Sequence, residues 1–320
     1  MTVSPRLRQA GPLFATGGIF LLLFVVAGLL YDGFFSTRVV VNLFSDNAVL
    51  GIVAVGMTLV IFTGGIDLSV GAVVGFTSIF TATLIHQGVS PLVAGAAAVG
   101  IGAALGAGMG LVIHAFGLPA FLITLAGMFL ARGGAFWIST ESTGITHPFY
   151  EALSRFEIVL GAMRWPATAL AVVIVLLLGY VIAHYTRFGR NLLAVGGNEN
   201  SAVLMGLPVG TTKVLAYTLN GALAAVAGLV ATIYTGSGNP STGIGLELDA
   251  IAVVVIGGTL LAGGRGHMVG TLLGLLVFGT IQTALLFDGR LSSWWIRIAV
   301  GLLLLGFILL QRVLRRSDAR

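Results

Sequence analysis

Apolar runs close to twenty residues long, separated by brief polar interruptions, occupy most of this chain. A helix needs about 20 such residues to cross roughly 30 Å of hydrocarbon, and the runs predict about ten crossings. They cover residues 12–31, 47–64, 67–86, 91–114, 118–138, 165–185, 213–235, 247–262, 268–287 and 292–312. Ten-residue segments of alternating polarity are missing, which argues against a β-barrel. The first run lies late for a signal peptide and has no small-residue cleavage site, so it is expected to stay as a span. Nothing is left over for a soluble domain. Residues 1–320 read as one all-α polytopic membrane domain.

One stretch breaks the pattern. Thr186 to Thr212 reads TRFGRNLLAVGGNENSAVLMGLPVGTT and gathers Arg187, Arg190, Asn191, Asn198, Glu199 and Asn200 in a protein only 8% charged. Asn198 suits a helix N-cap, Glu199 the first turn, and Gly206 a left-handed stop. The resulting helix, 199–205, would be about 10 Å long at 1.5 Å per residue. A helix that short does not hold alone in water. It must be braced by its own bundle, by another chain, or by both, and we expect it to be offered to a partner. The other long connection, 139–164, carries acids, Arg155 and the aromatics Phe149, Tyr150 and Phe156. It suits the membrane surface or a partner.

Charge orients the bundle. With both termini in the cytoplasm, the inside collects Arg6, Arg8, Arg187, Arg190, Lys213, Arg265, Arg312, Arg315, Arg316 and Arg320. The outside then receives chiefly Arg38, Arg155, Arg164 and Arg290, beside Asp32, Glu141, Glu151, Glu157 and Asp288. That asymmetry follows the positive-inside rule and places 186–212 in the cytoplasm. The net charge of +5 fits loops meeting anionic headgroups and not nucleic acid, since no basic patch carries interleaved aromatics. Cysteine is absent, which excludes disulfides and thiolate metal sites.

Glycine is the next signal. Gly71 and Gly75, then Gly102, Gly106 and Gly110, then Gly266, Gly270 and Gly274 fall at small-xxx-small spacing, which lets helix backbones approach closely in lipid. Gly51, Ala54 and Val60, running to Thr63-Gly64, echo Gly221, Ala224 and Val230, running to Thr235-Gly236. By the topology above the two copies run in opposite directions, as in an inverted repeat. Between the second and third spans, Thr63-Gly64-Gly65-Ile66-Asp67-Leu68-Ser69 makes a tight turn in which Asp67 or Ser69 is expected to cap the following helix.

Missing chemistry narrows the function. The single lysine, Lys213, lies in no Gly-x-x-x-x-Gly-Lys-Ser/Thr loop, so the chain does not bind ATP in the P-loop manner. His86, His114, His147, His184 and His267 are scattered singly, without metal-ligand spacing, and no nucleophile elbow or paired catalytic carboxylates occur. Asp67, Arg132, Glu247, Asp249 and Arg297 are read as lying near helix ends, leaving span centres almost uncharged. An ion-coupled carrier would place such groups deeper. The centres carry Thr58, Thr124, Asn220 and Gln282, with Asn47 at an entrance. These suit passing contact with the hydroxyls of a neutral polyol, and equally serve ordinary interhelical hydrogen bonds.

The residues resemble, over nearly the whole length, the permease subunits of ribose/xylose/arabinose/galactose-type ABC sugar importers. The resemblance rests on Gly64-Gly65-Ile66-Asp67-Leu68-Ser69-Val70-Gly71, Pro119-Ala120-Phe121 with Ile123-Thr124-Leu125, Arg187-Phe188-Gly189, and Ala194-Val195-Gly196-Gly197-Asn198 with Ser201-Ala202 and Met205-Gly206. Ile256-Gly257-Gly258-Thr259 with Gly263-Gly264 extends it. Thr37-Arg38-Val39, Asp46-Asn47, Thr146 to Tyr150 and Phe287-Asp288-Gly289 before Leu291 to Trp295 look most like a galactofuranose-type permease.

The resemblance implies a non-catalytic subunit of a bacterial inner-membrane importer, carrying no cofactor of its own. Partners would be an ATPase chain holding ATP and Mg, a second permease chain (a different one or a copy) and a periplasmic sugar-binding protein. It implies that Arg187, Phe188, Gly189, Arg190, Ala194, Gly196, Gly197, Asn198, Ser201, Ala202, Met205 and Gly206 couple to the ATPase. For the monosaccharide pathway the candidates are Asn47, Thr58, Gly64, Gly65, Asp67, Ser69, Phe121, Thr124 and Asn220. A carrier working alone, facilitative or ion-coupled, is the rival reading, and a scaffold that moves nothing is a second.

Overall fold

A computed structural model describes residues 5–289 and, beyond them, 294–295, 297–298, 300–302, 304–306 and 309. The expected span 292–312 falls largely outside these residues, as do the tail arginines. Eight of the nine other apolar runs are largely helical, and the run 247–262 is helical in its first part only. Among the described residues, six helices are long and apolar enough to cross a membrane: α1 (Pro5–Leu30), α5 (Pro91–Phe116), α6 (Ala120–Ile138), α8 (Ala167–Tyr185), α11 (Val209–Thr235) and α13 (Met268–Asp288). A bent pair, α2 (Thr37–Ser45) and α3 (Ala48–Phe62), meets at 54° and makes a seventh crossing if counted together. Two shorter helices complete the apolar set, α4 (Val70–His86) and α12 (Leu246–Ile256). The run 247–262 is therefore only partly helical. Its second half turns at Gly257-Gly258, where Gly258 adopts a φ of +89° that ends α12.

Burial explains why α3 and α12 look like spans. Almost every residue of α3 is enclosed by protein, and α12 is buried from Ala252 to Ile256. A helix apolar on all sides is a core helix as readily as a lipid-facing one. The centre of the bundle is α11, packed on α5, α3 and α4.

The three glycine rows are contact rows, as their spacing suggests. A Cβ on Gly102, Gly106 or Gly110 would overlap the α11 backbone or Ala225, and one on Gly270 or Gly274 would overlap the α12 region at Gly257 and Val253. Gly71 and Gly75 receive a loop, described below. The echoed segments α3 and α11 end alike, at Thr63-Gly64 and Thr235-Gly236, both glycines left-handed at φ +80° and +68°.

The connection 139–164 is built and not free. Its β1 (Thr143–Gly144) pairs antiparallel with β4 (Ser237–Gly238), while β2 (Glu157–Leu160) and β3 (Met163–Pro166) form a hairpin. Between them lies α7 (Pro148–Ser154), capped by His147 Nδ1, which accepts from the Phe149 N–H at 3.1 Å. Tyr150 fastens α7 to α11, its hydroxyl 3.1 Å from Thr232 Oγ1. The remaining helices, α9 (Arg187–Gly197) and α10 (Glu199–Leu204), fill the polar stretch 186–212.

Candidate coupling site and the polar latch beside it

The capping residues set the geometry of the polar stretch. Thr186 Oγ1 accepts from the Gly189 N–H at 3.1 Å and starts α9. Asn198 Oδ1 accepts from the Ser201 N–H at 2.8 Å and starts α10, as its side chain implies. Gly206, at φ +75°, ends the turn that follows. Ala202 is fully buried and clusters with Val195 and Val209, so one face of α10 is braced by its own chain. The other face is open: Val203, Leu204 and Met205 are exposed, Leu204 by 88%. Lys213 grips both Glu199 carboxylate oxygens at 2.7 Å, a surface pair that adds little energy but ties α10 to α11. Asn198→Ala is expected to cost about 1 kcal/mol of local helix stability, read as faster amide exchange at Ser201–Leu204.

Behind α10 three glycine pairs meet backbone to backbone. The Gly264 N–H donates to the Phe62 carbonyl at 3.1 Å, joining the end of α3 to the turn after α12. Gly196 lies against both: a Cβ there would overlap the Phe62 carbonyl oxygen and lie 2.6 Å from the Gly264 nitrogen. On Gly263 it would lie 2.7 Å from Gly64 Cα, and on Gly264, 2.6 Å from the Gly197 nitrogen. No flexible side chain is there to yield. The C-terminal end of α9 is thus in direct backbone contact with the ends of α3 and α12. Gly197 differs from its neighbour, since nothing lies within 4 Å of a Cβ at that position.

Beside this junction the turn 63–69 carries a polar latch. Asp67 is fully buried. Its Oδ1 accepts from the Ser69 N–H at 2.8 Å and the Ser69 hydroxyl at 2.6 Å, and its Oδ2 accepts from Asn220 Nδ2 at 2.8 Å. Ser69 makes no side-chain cap on α4. The expected cap is replaced by an Asp67 turn, because the carboxylate draws both Ser69 donors. Asn220 crosses from the middle of α11, so the latch binds the α3–α4 turn to the central helix. Asn220 Oδ1 and the Tyr217 hydroxyl have no hydrogen-bond partner among the described residues.

The pathway candidates are placed mostly inside the chain. Asn47 donates to the Leu43 carbonyl at 3.0 Å, Thr58 donates to the Ala54 carbonyl and contacts Thr271 Oγ1, both at 2.7 Å, and Thr124 donates to the Ala120 carbonyl at 2.9 Å. Gly65 abuts the Tyr217 hydroxyl. Phe121 is half exposed. Of the coupling candidates, Arg187, Arg190, Gly197, Asn198, Ser201, Met205 and Gly206 are exposed, Gly189 and Ala202 buried, and Phe188, Ala194 and Gly196 half-buried.

Two residues read singly come together. His184 and His267 stack with ring centroids 3.9 Å apart. His184 Nε2 accepts from the Met268 N–H and His267 Nδ1 from the Val269 N–H, each at 3.1 Å. Burial lowers the pKa of His267, which favours the neutral ring that this acceptance requires. Spacing of 83 residues gives no sequence signal for such a pair; a His directly before an apolar run, as a cap, is the only local clue.

The architecture is a bundle of apolar helices around α11, with one short capped helix whose apolar side chains are exposed. The family described as "Branched-chain amino acid transport system / permease component" matches residues 39–309, and the chain belongs to it. It is a multi-pass permease of the bacterial inner membrane. The chain is 50% identical, over 94% of its length and 92% of the relative's, to the inner membrane ABC transporter permease protein YjfF of Escherichia coli K12. It is 40% identical to the fructose import permease protein FruG of Bifidobacterium longum, over 95% and 92% of the two chains. It is 38% identical to the ribose import permease protein RbsC of Escherichia coli K12, over 91% of each. No solved structure matches the chain.

Proposed function

We propose that the chain is the membrane subunit of an ATP-driven importer of a neutral monosaccharide, galactofuranose being the specific cargo that the quoted motifs favour. It crosses the membrane ten times with both termini in the cytoplasm. A separate ATPase chain, loaded with ATP and Mg, grips α10; a second permease chain, most simply a non-identical one, completes the pathway; a periplasmic binding protein delivers the sugar. The relatives named for fructose and ribose import support a monosaccharide. The observation that carries the reading is α10 itself: a capped helix braced through Ala202, presenting Val203, Leu204 and Met205 outward. Two exposed apolar side chains at the end of a six-residue helix, with a third on its C-cap residue Met205, form a small knob suited to a groove on another protein.

Leu204→Asp tests this. It leaves the buried face of α10 untouched, so the chain is expected to insert normally. Its affinity for the ATPase, measured by titration in detergent, is expected to fall about 30-fold, from a hot-spot loss of about 2 kcal/mol. Unchanged affinity would remove α10 from the interface. ATP-independent sugar uptake by the chain alone would instead favour a free-standing carrier.

A further inference from the structure

The chain between α11 and α12, from Gly236 to Gly245, is held at membrane depth by the shortness of α12. Eleven residues reach about 16 Å at 1.5 Å per residue, roughly half the hydrocarbon thickness. The C-terminal end of α12 leads directly into the glycine junction. Irregular backbone at that depth persists only where protein buries it or where it lines water. One side is buried. Ser78 Oγ donates to the Asn239 carbonyl at 3.1 Å, and Arg132 Nη1 donates to the Pro240 and Thr242 carbonyls at 2.5 and 2.9 Å. Gly71 and Gly75 of α4 admit the loop: a Cβ on the first would overlap Gly243 and the Glu247 carboxylate, and on the second would lie 2.5 Å from Arg132 Nη1.

The other side is exposed at Ser241, Ile244 and Leu248, and half-buried charged groups collect beside it. Arg132 lies six residues before the C-terminal end of α6 and eight residues, or about 12 Å, beyond Thr124, whose hydroxyl touches the Ile66 carbonyl beside the latch. Glu247 and Asp249 lie in the first turn of α12, directly after the loop, and a Cβ on Gly245 would lie 3.8 Å from Arg297 Nη2. The Arg297 guanidinium lies 5.2 Å over the ring of Trp294. Hydrocarbon does not accommodate four such groups, which at this depth face a water-filled passage or another protein chain.

We propose that Arg132, Glu247, Asp249, Arg297 and Trp294 form a sugar-contact station in the translocation pathway, recognising a neutral monosaccharide. The proposal rests on the reading of this chain as a sugar permease. Two carboxylates and two guanidinium groups balance, so an uncharged ligand meets no net field. Carboxylates accept from sugar hydroxyls, and the guanidinium fork donates to two oxygens at once. Arg132 uses Nη1 to hold the loop, while its planar group presents further N–H donors on Nη2 and Nε. The Trp294 face suits the C–H face of a sugar ring. Arg132 thus has two tasks, positioning the loop and contacting the cargo.

Proteoliposomes holding the complete complex test the station, with the binding protein loaded by either of two monosaccharides that differ at one hydroxyl. Glu247→Gln and the more peripheral Asp249→Asn are each expected to lower uptake about tenfold, the loss of a hydrogen bond to a charged group. ATP hydrolysis should fall much less, so that the ATP consumed per sugar moved rises about fivefold, and the preference between the two sugars should shift about threefold or more. Arg132→Lys keeps the charge and removes the fork, and is expected to shift the preference with the smallest loss of uptake. Uptake and hydrolysis falling in parallel, an unchanged preference, or separation of the two permease chains on gel filtration would overturn the station. A wild-type complex that moves neither sugar would overturn the parent reading instead.

Discussion

Gly196→Asp is expected to abolish sugar uptake while the chain still inserts in the membrane. The argument is steric. Position 196 lies against the Phe62 carbonyl and the Gly264 nitrogen, both backbone atoms held by the same 3.1 Å hydrogen bond. Any Cβ forces α9 away from the ends of α3 and α12, and overpacking of a tight site costs about 1–3 kcal/mol even where side chains can shift. Here backbone must move, and the aspartate adds an uncompensated charge. Because α10 and its outward knob remain intact, the ATPase should still bind, and hydrolysis should lose its dependence on loaded binding protein. Gly197→Ala is the matched control. Nothing lies within 4 Å of a Cβ there, so folding stability should change by less than about 0.5 kcal/mol. Uptake and ATP hydrolysis measured on the same vesicles decide the matter, and normal stimulated hydrolysis with normal uptake in Gly196→Asp would end the claim.

Asn220→Leu is expected to lower uptake about tenfold or more by unlatching the α3–α4 turn. Asp67 keeps its two bonds from Ser69 but loses the 2.8 Å donor from α11. A hydrogen bond to a charged group contributes about 1.5–3 kcal/mol, and leaving the carboxylate short of a donor in a fully buried place costs the upper end of that range. Leucine also meets Gly56, which approaches the Asn220 side chain closely. The exchange Asp67→Asn with Asn220→Asp restores an amide–carboxylate pair across the same gap. It should recover part of the loss, giving a non-zero coupling energy in a double-mutant cycle. Additive losses would reduce Asn220 to a packing role.

These two sites were legible to different degrees. Asn198, Glu199 and Gly206 mark α10 within nine residues of sequence, because caps and left-handed stops act locally. The glycine rows also stand out, since small residues at fixed spacing report close helix contact. The latch was not legible as a latch. Asp67 and Asn220 are 153 residues apart; the sequence offers Asp67 as a cap of the tight turn and both residues as pathway candidates, with nothing to pair them. A buried polar side chain near mid-span looks the same whether it meets a sugar or another helix. The partners of Arg132 were not legible for a related reason, since the sequence gives its distance from the end of an apolar run but not which loop faces it.

The chain's own pattern of apolar runs and capping residues determined that it is a helical membrane protein with one short capped helix in its polar stretch. Those are local properties, governed by helix length, hydrogen-bond capping and transfer from water to lipid. Tertiary structure alone decided that α3 and the C-terminal half of α12 are enclosed by protein, that a side chain at Gly196 meets backbone while one at Gly197 does not, and that Arg132, Glu247, Asp249 and Arg297 gather around one loop. Each of these depends on which distant segments come within a few ångströms, and hydropathy, which sums residues along the chain, carries no record of that.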